Sequence, residues 1–321
     1  MDFNWQFWGN NKTKKILEQV VKKNNPASCY LFVGMPQIGK ATAAKEFALA
    51  LNCENQNQIP CFKCLSCHQI YNEESADIIF LRGEESLKIE EIRELKRMLN
   101  LKNHYLRYKI AFLENAERLT EEAANALLKI LEEPPGKTVF ILTVSSIKKI
   151  LPTIVSRSQI IKMQPLSLKA IEDYLFEKTK DKTLSEYLAL ISGGRPGVAL
   201  GLLENSELLQ KNIEILKKFL EAKDKDVFEK IKFVDEISNS QILLPNILDF
   251  WLYFIRDIML FKNGNENLIS NMTLKKIIIN SAQKYSFEHL FELAGLVHRT
   301  KMLLEKNVKP RLALEVLMLE I

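Results

Sequence analysis

Cys29-Tyr-Leu-Phe-Val33-Gly34-Met-Pro-Gln-Ile-Gly39-Lys40-Ala41 is the stretch that decides the fold. Its first five residues are apolar without alternation, the pattern of a strand buried on both faces. Gly34 and Gly39 then bracket a short loop, and an Ala-rich helical run follows from Lys40 to Leu51. Strand, glycine loop and helix in that order form a phosphate-type loop, in which backbone N–H groups can wrap an anion and the lysine can reach terminal phosphates. The residue after Lys40 is Ala41, which has no oxygen to hold Mg²⁺, and Thr42 lies one position out of register. The loop therefore serves either as a nucleotide site of Gly34, Gly39 and Lys40 or as a retained fold element, and catalytic use is not expected.

Outward from this loop, strand and helix signals alternate. Lys14 to Lys22 has helical spacing, and further strands are expected at Asp77–Leu81, Tyr108–Leu113 and Thr138–Thr143. Helices are expected over Ile89–Leu99 and Thr120–Glu133, the second with Thr120 as its N-cap, acids in its first turn and Pro134-Pro135-Gly136 as its stop. Continuous apolar strands alternating with helices imply a parallel sheet covered on both faces. After Gln164 the strands stop. Helices are expected over Ser167–Lys178 and Thr183–Ile191 and from Gly197, and the pattern stays helical from Glu207 onward, with a buried stripe of Ile247, Leu248, Trp251, Leu252, Ile255 and Met259.

Two further places could carry chemistry. The strand Ile110-Ala-Phe-Leu113 ends in Glu114-Asn115, where a hydrolytic site needs a metal-organising acid and then a water-activating one. An amide at the second position cannot accept the proton. Cys53, Cys61, Cys64 and Cys67 put four thiols within fifteen residues at x7, x2 and x2 spacing. That set fills a tetrahedral shell and reads as a structural Zn²⁺ site with no open position. Cys29, within a strand, reads as core. Ser156-Arg157-Ser158 carries no signal by composition alone.

The 321 residues are too many for one ordinary core, so two or three domains are expected. A net charge of +5 permits contact with nucleic acid without requiring it. No apolar signal segment precedes Lys15, and the run Ile247–Leu260 is too short and too charged to span a bilayer. A cytoplasmic protein without a membrane partner is expected.

Taken together these segments resemble the bacterial DNA polymerase III clamp-loader family of the AAA+ class. The resemblance rests on Gly34–Lys40, the Cys53–Cys67 cluster, Asn125-Ala-Leu-Leu-Lys-Ile-Leu-Glu-Glu-Pro-Pro135, Ile150-Leu-Pro-Thr-Ile154, Ser156-Arg-Ser-Gln159, Ser192-Gly-Gly-Arg-Pro-Gly197 and Asn307-Val-Lys-Pro-Arg-Leu-Ala-Leu-Glu315. It implies a RecA-like α/β AAA+ core over residues 1–165 with a zinc module (53–67), a helical lid over 166–205 and an all-α collar over 206–321. Ala41, Glu114-Asn115 and Gly197 in the lid stand where ATP-hydrolysing gamma/tau subunits carry Ser/Thr, an Asp-Glu pair and an arginine. These departures fit the delta-prime type, without ATPase of its own, better than the alternative, a gamma/tau-type motor. The resemblance also gives Arg157 a role, an arginine finger supplied in trans to the ATP of a neighbouring subunit. Ser158 stands where the family usually has Cys. The implied partners are gamma/tau and delta subunits, a sliding clamp and, through the assembly, primer–template DNA.

Overall fold

The computed structural model describes residues 1–321 except 83–85, 103, 239–243, 267–268, 270–273 and 307. It forms two compact units, Met1–Ala170 with Gly194–Val198, and Ile171–Gly193 with Ala199–Ile321.

The first unit contains β1 (Asp2–Phe3), α1 (Asn11–Lys23), β2 (Cys29–Val33), α2 (Lys40–Asn52), β3 (Gln58–Ile59), α3 (Leu65–Tyr71), β4 (Ile78–Arg82), α4 (Ile89–Leu99), β5 (Lys109–Glu114), α5 (Glu121–Glu132), β6 (Thr138–Val144), α6 (Pro152–Ser156) and β7 (Gln159–Lys162). Its main sheet has five strands in the order β4-β5-β6-β2-β7, and every neighbouring pair is parallel. The decisive strand β2 thus lies inside the sheet between β6 and β7, which is why Cys29, Tyr30, Leu31 and Phe32 are all buried. Alternate residues feed two cores. Tyr30 and Phe32 pack with Phe47 of α2 on one face, while Cys29 and Leu31 join Leu127 and Leu131 of α5 on the other. This is the parallel, doubly covered sheet that the sequence pattern predicts.

Local chemistry sets the element ends. Thr120 Oγ1 accepts from the Ala123 N–H at 3.2 Å, so it is the N-cap of α5. The buried Lys109 donates to the carbonyls of Met98 and Leu101, closing the C-terminal end of α4. Asp77, just before β4, accepts from the backbone N–H groups of His104, Tyr105 and Leu106 at 2.6–3.0 Å and holds the loop that enters β5. Burial pushes the Asp77 carboxyl up, but those three N–H bonds and Lys109 outweigh it, so its pKa lies below the usual value. The strand Gln159–Lys162 was not expected: four residues with only Ile161 buried give too little periodicity to mark an edge strand.

The second unit is helical. The chain continues through α7 (Leu168–Thr179), α8 (Lys182–Ile191), α9 (Pro196–Glu204), α10 (Ser206–Ala222), α11 (Val227–Ser238), α12 (Leu244–Lys262), α13 (Lys275–Lys284), α14 (Phe287–Glu305) and α15 (Pro310–Glu320). Trp251 of α12 stacks on Phe219 of α10 with ring centroids 4.0 Å apart. Within the expected stripe Ile247, Leu248, Trp251 and Ile255 are buried, but Leu252 and Met259 are only half-buried, and Phe254 and Ile258 take the interior places. The helix presents a wider apolar face than the narrow stripe read from spacing. No helix among the described residues is long and apolar enough to cross a membrane. Asn307, at the start of the terminal motif, lies outside the described residues.

Candidate functional site

The phosphate-type loop joins β2 to α2 as expected, with Gln37 (φ 61°) and Gly39 (φ 91°) in the left-handed region. Lys40 does not extend from it. Its Nζ donates to the carbonyls of Gly34 at 2.7 Å and Met35 at 2.9 Å, and the residue is 8% exposed. Burial lowers the pKa of this ammonium, against the pull of Glu117 and Glu114. Two glycines let other segments close on the loop. A Cβ on Gly34 would meet the Met163 carbonyl oxygen at 2.8 Å, and one on Gly197 would meet the Gln37 carbonyl oxygen at 2.8 Å. The Gly197 N–H donates to that same oxygen at 2.9 Å. The position of Gly197, where the resemblance implies an arginine in ATP-hydrolysing subunits, is thus filled by backbone. The neighbouring Arg195 is buried.

Glu114 ends β5 directly beside Arg82, which ends β4, and Arg82 Nε lies 3.6 Å from its carboxylate. Asn115 is left-handed (φ 55°) and its N–H is bound by Thr143 Oγ1 at 3.0 Å. Ala41 and Glu114 line one cavity of about 480 Å³, together with Thr42, Lys45, Glu73 and Arg82. At the end of α3 Glu73 accepts from Lys45 at 2.9 Å and from Arg82 at 2.5 Å, and the Arg82 bond is the main reason its carboxyl is held down at about 2. Arg82 and Glu73 were missed in the sequence; strand register brings Arg82 to this cavity and the segment after α3 brings Glu73.

The four cysteines come together as expected. Their Sγ atoms all lie within 4.8 Å of one another, and that of Cys61 is 4.0 Å from that of Cys67. A tetrahedron with bonds of about 2.3 Å needs sulfurs about 3.8 Å apart, so the set fits a metal ion. The Cys64 N–H points at Cys61 Sγ (3.3 Å) and the Cys67 N–H at Cys64 Sγ (3.4 Å), which favours the thiolate forms that ligate metal. None of the cysteines is in a disulfide. A hydrogen bond from the Cys67 thiol draws the Cys53 thiol down to about 5, and that same bond is the largest cause pushing Cys67 up. His68, next to the cluster, is turned to Asn72 instead.

Arg157 caps α6 away from this cavity. Its Nη2 donates to Glu132 Oε1 at 2.8 Å and its Nη1 to the Thr153 carbonyl at 3.2 Å, and the side chain is 39% exposed. Glu132 belongs to the Glu132-Glu-Pro-Pro135 segment, but its pairing with Arg157 could not be read from spacing. Ser158 donates to the Ile154 carbonyl at 2.7 Å and touches the Cys29 sulfur at 3.1 Å. The side chain after Arg157 therefore faces the interior, while Arg157 itself stays partly exposed.

With this geometry, two family models match the chain, "DNA polymerase III, delta subunit" over residues 9–167 and "DNA polymerase III, delta subunit, C terminal" over residues 206–321. The chain belongs to the class of DNA polymerase III subunits that make up the clamp-loader family. It belongs to the delta-prime family within that class. A delta′ subunit of Bacillus subtilis is 27% identical over 96% of this chain and 94% of its own length. A gamma subunit of Buchnera aphidicola subsp. Schizaphis graminum is 30% identical over 82% of this chain and 80% of its own. A tau subunit of Bacillus subtilis is 25% identical over 98% of this chain, which spans 60% of that protein.

Proposed function

We propose that this chain is the non-hydrolysing, delta-prime subunit of a DNA polymerase III clamp loader and that it supplies Arg157 in trans to ATP on an adjacent gamma/tau-type subunit. One observation carries the first half. Lys40 is spent on the carbonyls of its own loop, beside a position with no hydroxyl and a strand end with no water-activating acid. Gly34, Gly39 and Lys40 then serve the fold and bind nucleotide at most without turnover. The second half is supported by a guanidinium at a helix end that is 39% exposed and is held in place by Thr153 and Glu132. Such a finger is worth roughly 10³–10⁵ in rate where it has been measured.

In this reading residues 1–165 are an AAA+ core and rigid arm, 166–205 a lid, and 206–321 a collar that assembles with gamma/tau and delta subunits. The core holds one end of the ring open, and ATP bound by the neighbour tightens the assembly on primer–template DNA and opens the sliding clamp. Cys53, Cys61, Cys64 and Cys67 hold a structural Zn²⁺. It would fix α3 and the loop before it and do no catalysis, because four thiolates leave no open position.

The test is steady-state ATPase. The isolated chain should show no turnover with primed DNA. In an assembly reconstituted with a gamma/tau-type motor, Arg157→Ala should lower kcat at least 100-fold with little change in KM. Multiple turnover by the isolated chain would restore the gamma/tau-type alternative, and an unchanged assembly rate would remove the role of Arg157.

A further inference from the structure

We infer that Arg82 stands in for a metal ion beside Glu114, so that the cavity next to the phosphate loop is closed to divalent cations by a built-in cation. The inference rests on the reading of this loop as non-hydrolytic and adds an obstacle that the missing Ala41 hydroxyl does not explain.

In a hydrolytic site of this type Mg²⁺ lies between a hydroxyl on the residue after the loop lysine and an acid at the end of a strand of the same sheet, here β5, one strand removed from β2. Here both positions, Ala41 and Glu114, face one cavity. The cation in that cavity is a guanidinium. Arg82 reaches Glu114 at 3.6 Å and Glu73 at 2.5 Å, and Lys45 reaches Glu73 at 2.9 Å. Two cations and two carboxylates therefore balance without an added ion. The remaining acid of the cavity wall, Glu46, accepts the Gln6 N–H at 2.8 Å, and burial pushes its pKa up. The Arg82 side chain, 52% exposed, is held at two points: its guanidinium lies 5.0 Å from the Phe80 ring centre, and Glu73 accepts from Nη2; strand register places its backbone beside Glu114. A cross-strand ion pair alone would need only Glu114. The second carboxylate, delivered by α3 of the cysteine module and held by Lys45 of α2, keeps the guanidinium over the cavity. A dication entering there would have to displace a positive charge that cannot be neutralised by losing a proton.

The test uses the full chain and Mn²⁺ with ADP, read by electron paramagnetic resonance titration. Ala41→Thr restores the hydroxyl but leaves Arg82, and it should bind Mn²⁺·ADP no better than the parent. Ala41→Thr with Arg82→Gln should bind at least tenfold more tightly than Ala41→Thr alone. Arg82→Lys in the same background keeps a positive charge and should give no gain. Arg82→Met, which keeps the packing on Phe80, replaces the Gln variant if that one does not fold. Equal affinity in the Ala41→Thr backgrounds with and without Arg82, including no measurable binding in either, overturns the inference. Turnover of ATP by the parent chain would instead overturn the reading on which it rests.

Discussion

Gly197→Ala should destabilise the first unit, whereas Gly201→Ala, four residues along the same helix, should stabilise the chain. The added Cβ at 197 would lie 2.8 Å from the Gln37 carbonyl oxygen, a backbone atom that cannot rotate away, and at 3.2 Å from its Cβ. Forcing that contact costs roughly 1–3 kcal/mol. It also stretches the 2.9 Å bond from the Gly197 N–H to the same oxygen, worth about 1 kcal/mol. Against this, exchanging glycine for alanine in a helix gains at most about 1 kcal/mol, and less in the first turn. The net is a loss of about 1–3 kcal/mol. At Gly201 nothing lies within 4 Å of the new methyl, so only the gain of roughly 0.5–1 kcal/mol remains. Hydrogen exchange by mass spectrometry over 34–41 and 196–204 gives the local readout, and urea unfolding of the full chain gives the global one. Exchange of the loop segment should rise at least fivefold in Gly197→Ala and stay unchanged in Gly201→Ala. If both variants behave alike, or if Gly197→Ala is the more stable, the claim that backbone fills the lid-arginine position is refuted.

Further outcomes are expected elsewhere. The purified chain should carry one Zn²⁺ by elemental analysis; Cys67→Ser or a strong chelator should remove it and raise proteolytic cleavage within residues 53–71, and full protection without metal would contradict the assignment. Asp77→Ala leaves three N–H groups of a buried loop without their acceptor and should cost roughly 2–4 kcal/mol by urea denaturation. Glu73 is held well below an unfolded glutamate, so its contribution is complete above about pH 4.3 and lost as pH falls towards 2; it is partly exposed, so the loss should be about 1 kcal/mol, absent in Glu73→Gln. Glu132→Ala breaks an exposed pair and should change stability by less than about 1 kcal/mol, while lowering the ATPase of the assembly several-fold through a less ordered Arg157.

The core was legible because it obeys short-range rules. Ile89–Leu99 has the bounds expected from its spacing, and Cys29–Val33 and Thr138–Val144 are where their apolar runs place them. Thr120 caps α5 because capping depends on a residue three positions away. What escaped depends on partners remote in sequence. Gln159–Lys162 becomes a strand only because β2 offers it an edge, and Asp2–Phe3 only because Gln58–Ile59 does. The same holds at the site. The missing oxygen at Ala41 and the amide at Asn115 are visible as letters, whereas the contact of Gly197 with Gln37, the pair Arg157–Glu132 and the meeting of Arg82 with Glu114 and Glu73 are created by register and packing. The cysteine cluster was readable because its ligands are neighbours in the chain.

The position of β2 has a consequence for biosynthesis. It is the first strand of the five-stranded sheet to leave the ribosome, yet its two hydrogen-bonding neighbours are β6 and β7, made more than a hundred residues later. During that interval a segment greasy on both sides has no lateral mate. The cysteine module is complete much sooner, and α2 packs against α3 within it. A metal held by the four cysteines would anchor the helix that follows β2 and shelter one side of the waiting strand, and the module would then be a foothold for folding during translation.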